Sequence, residues 1–335
     1  MLERIFKQSK INGVSSRTPA QLGFILALSA TLFYSLKPII IKLIYQYDIS
    51  SANILAWRVI ISLPIYFAVG IWIWKAARND KKKLQQQEEY YEVKTKGWVV
   101  KTVILGAIGF YLAALLDLIG LQYISSQLAR LILFTYPTLV AILGWVIFRH
   151  KVSRTVVIAL VFSYIGVGFI FAYDFGQLGS QVTYGSFLMF LSVLAFSLYV
   201  LLSKSVIDQV GGSAFTVVAM LSSGVCILVH FLVTEQSFTG LAISAPAFTL
   251  IAIMTILTTV IPSFLIAEAI GLIGPQRTAI AGTLGPAATS VFAVLLLNEA
   301  FGLSQLAGIV LVVAAITYMQ REQNSDQQDE VDVHY

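Results

Sequence analysis

Hydrophobic residues along this chain come in long blocks, without the alternation of half-buried strands or the narrow stripe of a soluble amphipathic helix. Ten blocks stand out, at Leu22–Tyr45, Asn53–Trp74, Trp98–Leu121, Ser126–Phe148, Thr155–Tyr173, Tyr184–Val206, Ala214–Val233, Pro246–Ile270, Arg277–Leu297 and Leu303–Met319. A run of roughly 20 apolar residues is the length at which a helix crosses a bilayer core. In hydrocarbon the backbone must satisfy its own hydrogen bonds, so such runs are read as helices. The pattern predicts an all-α membrane protein with ten transmembrane helices.

The polar residues between the blocks are unevenly shared. Arg4, Lys7, Lys10 and Arg17 lie in the tail 1–20, and Lys75, Arg78, Lys81, Lys82, Lys83, Lys94 and Lys96 in the loop 75–97. Arg149, Lys151 and Arg154 occupy the next loop on that side. The opposite loops, around Asp48, Ile124, Asp174, Glu235 and Asn298, hold no clear Lys or Arg. Positive residues are retained on the cytoplasmic side, which predicts both termini in the cytoplasm and a location in the cell (inner) membrane. The N-terminal tail has no apolar core of signal-peptide length. Residues 320–335, with Asp326, Asp329, Glu330 and Asp332, read as a short disordered acidic tail.

The chain also resembles itself. A shift of 162 residues pairs Gly23 with Gly185, Ser35 with Ser197, Lys42 with Lys204 and Ser51 with Ser213. Further on, a shift of 149 pairs Gln127 with Gln276 and Pro137 with Pro286, the difference being absorbed by the charged loop 75–97. Residues 21–174 and 183–319 therefore read as two five-helix repeats. Five is odd, so the second enters the membrane from the opposite side. Inverted repeats of this kind place a substrate site near the midplane between halves in many secondary transporters.

Composition sharpens the class. Of 335 residues 58% are hydrophobic and 12% charged, against roughly 25% charged in an average soluble domain. The single Cys226 excludes an internal disulfide or a cysteine metal cage. The three histidines, His150, His230 and His334, show no metal-ligand spacing, and no hydrolase or phosphate-loop motif is present. No cofactor and no metal are expected. The net charge of +5 is explained by the loops on one side of a membrane, so no nucleic-acid partner is expected.

Several spaced residues resemble the EamA-type repeats of the drug/metabolite transporter superfamily. Arg58 in "ILAWRVIISLP" matches a second-helix arginine, and "YPTLVAILGW" and "LGPAATSVFA" match the proline-bearing fourth helices. "LLNEAFGLSQLAGIV" keeps the Glu299 turn and Gly308, and "SYIGVGF" supplies Gly166. The departures are His150 where the first repeat is expected to carry Glu, and Met220 where the second is expected to carry Arg. The resemblance covers about Gln21 to Met319 and implies a ten-helix permease, while leaving the substrate open.

Charges inside the blocks are the candidate chemistry, since each costs about 2.5–3.5 kcal/mol at a helix centre on insertion scales. A rise of 1.5 Å per residue puts Asp117 and Arg130 roughly 6 Å, Arg58 about 7.5 Å and Lys37 about 12 Å below the outer ends of their helices. Asp117 and Arg130, in one hairpin at matching depth, are expected to pair, leaving Lys37 and Arg58 as free positive charge toward a cavity. Tyr34, Tyr136 and Gln127 are further candidates to line it. Snorkelling of Arg58 and Arg130 to the headgroups remains the alternative. Glu268 and Arg277 read as a structural tie at the cytoplasmic mouth. Pro137 and Pro286 should kink two equivalent helices, as elements that bend during alternating access require.

The leading expectation is a carrier of a small polar or anionic metabolite, with coupling to protons or a counter-substrate and the oligomeric state left open. An exporter of amphipathic or aromatic compounds, with structural charges, is the alternative. An intramembrane enzyme is disfavoured because no nucleophile–base or metal constellation is visible.

Overall fold

The computed structural model describes residues 19–84, 97–149, 154–210, 212–235, 242–282 and 284–332, and these contain no strand. The first repeat comprises α1 (Pro19–Tyr45), α2 (Ser51–Leu84), α3 (Trp98–Gly106), a π-helical segment π1 (Ala107–Leu112), α4 (Ala113–Leu121), α5 (Ser126–Leu133), α6 (Tyr136–Phe148) and α7 (Arg154–Leu178). The second comprises α8 (Gln181–Val210), α9 (Gly212–Glu235), α10 (Ala245–Thr255), π2 (Ile256–Val260), α11 (Ile261–Gly282), α12 (Gly285–Leu297) and α13 (Leu303–Asp332). Among the described residues, eight stretches are long and apolar enough to cross a membrane. Two shorter apolar helices, Gly285–Leu297 and Leu303–Tyr318, complete the ten expected segments. The protein is an all-α membrane protein.

Three boundaries differ from the sequence expectation. Helix α2 continues to Leu84, well into the charged loop, and α13 continues to Asp332, where a disordered tail was expected from Gln320. A helix already nucleated inside the bundle extends one hydrogen bond per residue at little cost, so polar residues can prolong it. Helix α11 spans the expected gap between Ile270 and Arg277. Ala27, Ala269 and Ala281 nevertheless form one small cluster. Twelve residues of straight helix rise about 18 Å, so the chain reverses between Ala269 and Ala281 and α11 carries parts of two spans.

The inverted repeat is visible atom by atom. Residues 107 and 256, related by the 149-residue shift, begin the two π segments. Arg149 and Asn298, related by the same shift, both take a left-handed backbone, φ 56° and 52°, and end the fourth helix of each repeat. A Cβ on Gly23 would meet Leu272 and Ile273, and a Cβ on Gly185 would meet their counterparts Tyr123 and Ile124. The contacts cross between repeats. Helix α1 packs on α11 and α12, and α8 packs on α4, α5 and α6; α2 pairs with α9, and α7 with α13. The main core gathers residues from both repeats, among them Ile44, Ile54, Leu128, Val193, Ile251 and Val312.

Candidate functional site

The fourth span of each repeat is broken where its proline predicts. Pro137 and Pro286 each lie in the first turn of a new helix, α6 and α12, because proline lacks an N–H but suits that turn. The residue before each proline offers its carbonyl to the opposite repeat. Ser35 Oγ of α1 donates to the Gly285 carbonyl at 3.1 Å, and Ser197 Oγ of α8 donates to the Tyr136 carbonyl at 3.3 Å. Ser35 also receives Thr289 Oγ1 on its own carbonyl at 3.2 Å. Each break is therefore held by the first helix of the opposite repeat.

Around these breaks lie the intramembrane charges. Lys37 Nζ donates to Asp117 Oδ2 at 2.6 Å, joining α1 to α4, and the pair is largely enclosed. This corrects the expected Asp117–Arg130 pair. Matching depth fixes only the height of two side chains, whereas the face of α4 that carries Asp117 looks toward α1.

Arg130, one turn before the break that follows α5, reaches instead toward the second repeat. A Cβ on Gly285 would lie 2.7 Å from Arg130 Nη2, so the absence of a side chain there makes room for the guanidinium. Arg130 Nε is buried without a hydrogen-bond partner, and among the described residues Arg130 forms no ion pair. Arg58 on α2 is half-buried and likewise forms no ion pair among them. Asp117 is within electrostatic reach of both arginines, as Tyr34 and Tyr136 are of Arg130 and Tyr66 is of Arg58. Tyr66 is held by Ser263 Oγ of α11 at 3.2 Å. Tyr136 packs edge-on against Phe196, with ring centroids 5.6 Å apart.

Of the expected site residues, Lys37, Arg58, Asp117, Arg130, Tyr34 and Tyr136 come together. Gln127 does not join them. Its side chain is buried and donates to the Ala300 carbonyl at 2.9 Å and to Glu299 Oε2 at 3.4 Å. Glu299 Oε1 accepts the Ser126 backbone N–H at 2.9 Å, so this glutamate caps α5 from the opposite repeat. Sequence reading missed Asp174, whose buried Oδ2 accepts the Ser125 N–H at 2.9 Å. It also missed Tyr66. Ser125 Oγ caps the Leu128 N–H at 3.0 Å, but no acidic residue stands in the first turn of α5 to answer the other N–H groups, which distant carboxylates bind instead. His230 shares a hydrogen bond of 3.0 Å with the Tyr111 hydroxyl. The side chains of Glu268 and Arg277 lie outside the described residues, as does His150.

Two five-helix repeats of opposite orientation, with broken helices meeting between them, define a polytopic membrane transporter. The sequence profile of the EamA-like transporter family matches residues 21–172 and 183–320, so the chain belongs to that family. It is similar to the uncharacterized transporter YcbK of Bacillus subtilis (strain 168), 28% identical over 324 residues, covering 95% of this chain and 96% of YcbK. It is also similar to the uncharacterized transporter sll1319 of Synechocystis sp., 24% identical over 320 residues, 91% of this chain and 94% of that one. A solved crystal structure shares the fold, with TM-score 0.58 and 11% identity over 89% of this chain and 96% of that chain.

Proposed function

We propose that this transporter carries a small anionic metabolite by alternating access, through a site between the repeats formed by Arg58, Arg130 and the Lys37–Asp117 pair. The observation that supports this reading is a pair of guanidiniums on different helices inside the bundle, with no anionic partner bonded to either among the described residues. A guanidinium cannot lose its charge to escape a poorly hydrated site, and its fork of donors fits a carboxylate or phosphate. Counting Lys37 and Asp117, the four groups sum to two positive charges, which an anionic substrate would offset. The hydrogen bonds it forms would be charge-assisted and weakly screened.

The row of rings from Tyr136 through Phe196 to Tyr199 supports a second reading, in which the cargo is aromatic or amphipathic and the charges hold the fold. Purified protein in proteoliposomes, challenged with radiolabelled carboxylates, phosphate esters and neutral aromatic compounds, separates the two. The anion reading expects saturable uptake of an anion that is lost in Arg58→Ala and Arg130→Ala. Uptake of neutral aromatics alone, unchanged in those variants, would refute it.

A further inference from the structure

The two ends of the molecule differ in sequence at equivalent turns, Glu299 at one and His150 at the other. At the end that carries Asp48, the start of α5 is held by groups from α7 and from the turn between α12 and α13. Ser126 N–H donates to Glu299 Oε1 at 2.9 Å, Gln127 Nε2 donates to the Ala300 carbonyl at 2.9 Å, and Ser125 N–H donates to Asp174 Oδ2 at 2.9 Å. Two of these three bonds join the first repeat to the second, and two end on carboxylates. The first N–H groups of a helix have no partner within it and carry the positive end of its dipole, which is why carboxylates hold them strongly. Lys42 of α1 lies within electrostatic reach of both Glu299 and Asp174 and offsets their mutual repulsion. Above the clamp, Lys42, Tyr45, Gln46, Asp48, Gln122 and Glu299 border a cleft of about 500 Å³ that opens at this end. At the opposite end the same device is not encoded. The counterpart of Glu299 under the 149-residue shift is His150, which offers no carboxylate, although Gln276 matches Gln127.

We infer that Glu299, Gln127 and Asp174 form the gate at the Asp48 end of the transporter. Closure there is the bonding of the α12–α13 turn to the start of α5, and opening is its release. The clamp holds the start of α5, which is the half of the fourth span before the break at Pro137, and Arg130 lies on that same half. Release at the clamp therefore frees the segment that carries a site guanidinium to move with respect to Gly285 of the other repeat. The inference rests on the transporter reading, but not on the substrate being an anion.

The test reads access rather than transport. In a Cys226→Ser chain, a reporter cysteine replaces Tyr34 beside the site, and a membrane-impermeant maleimide is added to right-side-out and to inverted vesicles. The gate expects Glu299→Gln, and separately Gln127→Ala, to speed labelling from one face by roughly ten-fold, the factor that about 1.4 kcal/mol of lost closure gives. Labelling from the other face should hold steady or fall. Asp174→Asn should act in the same direction, which keeps the idea exposed if one variant folds poorly by size-exclusion. Unchanged labelling from both faces in well-folded Glu299→Gln and Gln127→Ala would overturn the gate. Equal acceleration from both faces would also overturn it, since that is general loosening. Failure of the transporter reading would show separately, as proteoliposomes of the parent chain that move no solute.

Discussion

Lys37 and Asp117 make a 2.6 Å ion pair between α1 and α4, largely enclosed by the helices. Removing one partner of an enclosed pair leaves a charge with nothing to offset its desolvation, at about 3–5 kcal/mol, whereas removing both together is far milder. Lys37→Met and Asp117→Leu singly should therefore lower the thermal unfolding midpoint in detergent more than the double variant does. A double variant as damaged as the sum of the singles would mean the pair contributes through other contacts. Arg58 differs, having no ion-pair partner to strand among the described residues. Arg58→Ala should leave the midpoint nearly unchanged and weaken anion binding roughly 10- to 100-fold, the equivalent of about 1.5–3 kcal/mol for a hydrogen bond to a charged group. Titration calorimetry with the transported anion checks this. The residues of this cluster were legible in the sequence because charge inside an apolar block is rare. Their partners were not, because which face of a helix a residue occupies relative to its neighbours depends on how the helices cross.

At the scale of helices, small residues decide how closely the repeats approach. Helices α7 and α13 cross at Gly166 and Gly308, where a Cβ on Gly166 would lie 2.7 Å from the Gly308 carbonyl oxygen. Backbone cannot swing aside as a side-chain tip can, so Gly166→Ala should force the helices apart. Overpacking of this kind costs about 1–3 kcal/mol, read as a lower unfolding midpoint. Gly168, two residues on, faces open space, and Gly168→Ala should be neutral. Equal effects of the two substitutions would point to helix propensity rather than to the crossing. The proline breaks in the fourth spans were readable one helix at a time, since proline's missing N–H acts locally. The π segments were not: neither "AIGFYL" nor "ILTTV" carries a local signal, and their equivalence emerges only when residues 107 and 256 are superposed by the repeat.

For the molecule as a whole, the charge of the loops predicts its sidedness. With Lys and Arg concentrated in the tail 1–20 and the loop 75–97, cysteines at Asn12 and Ser325 in a Cys226→Ser chain should resist impermeant thiol reagents in intact cells. One at Gln177, exposed at the end of α7, should react. Labelling at both termini and protection at Gln177 would reverse the orientation, and with it the face on which the Glu299 clamp closes.

The solvent, the crossings, the duplication and the positions of the intramembrane charges were legible along the linear chain. Each of these depends only on composition, run length or spacing, and a bilayer leaves an apolar run no choice but helix. The tertiary structure decided who meets whom. It paired Asp117 with Lys37 rather than Arg130, turned Gln127 away from the site toward Ala300, and brought Asp174 and Glu299 to the start of α5 from 49 and 173 residues away. Those partnerships arise where helices of one repeat pack into the other. A linear sequence records how far along its helix a residue lies, but the direction in which it points is fixed only when the helices cross.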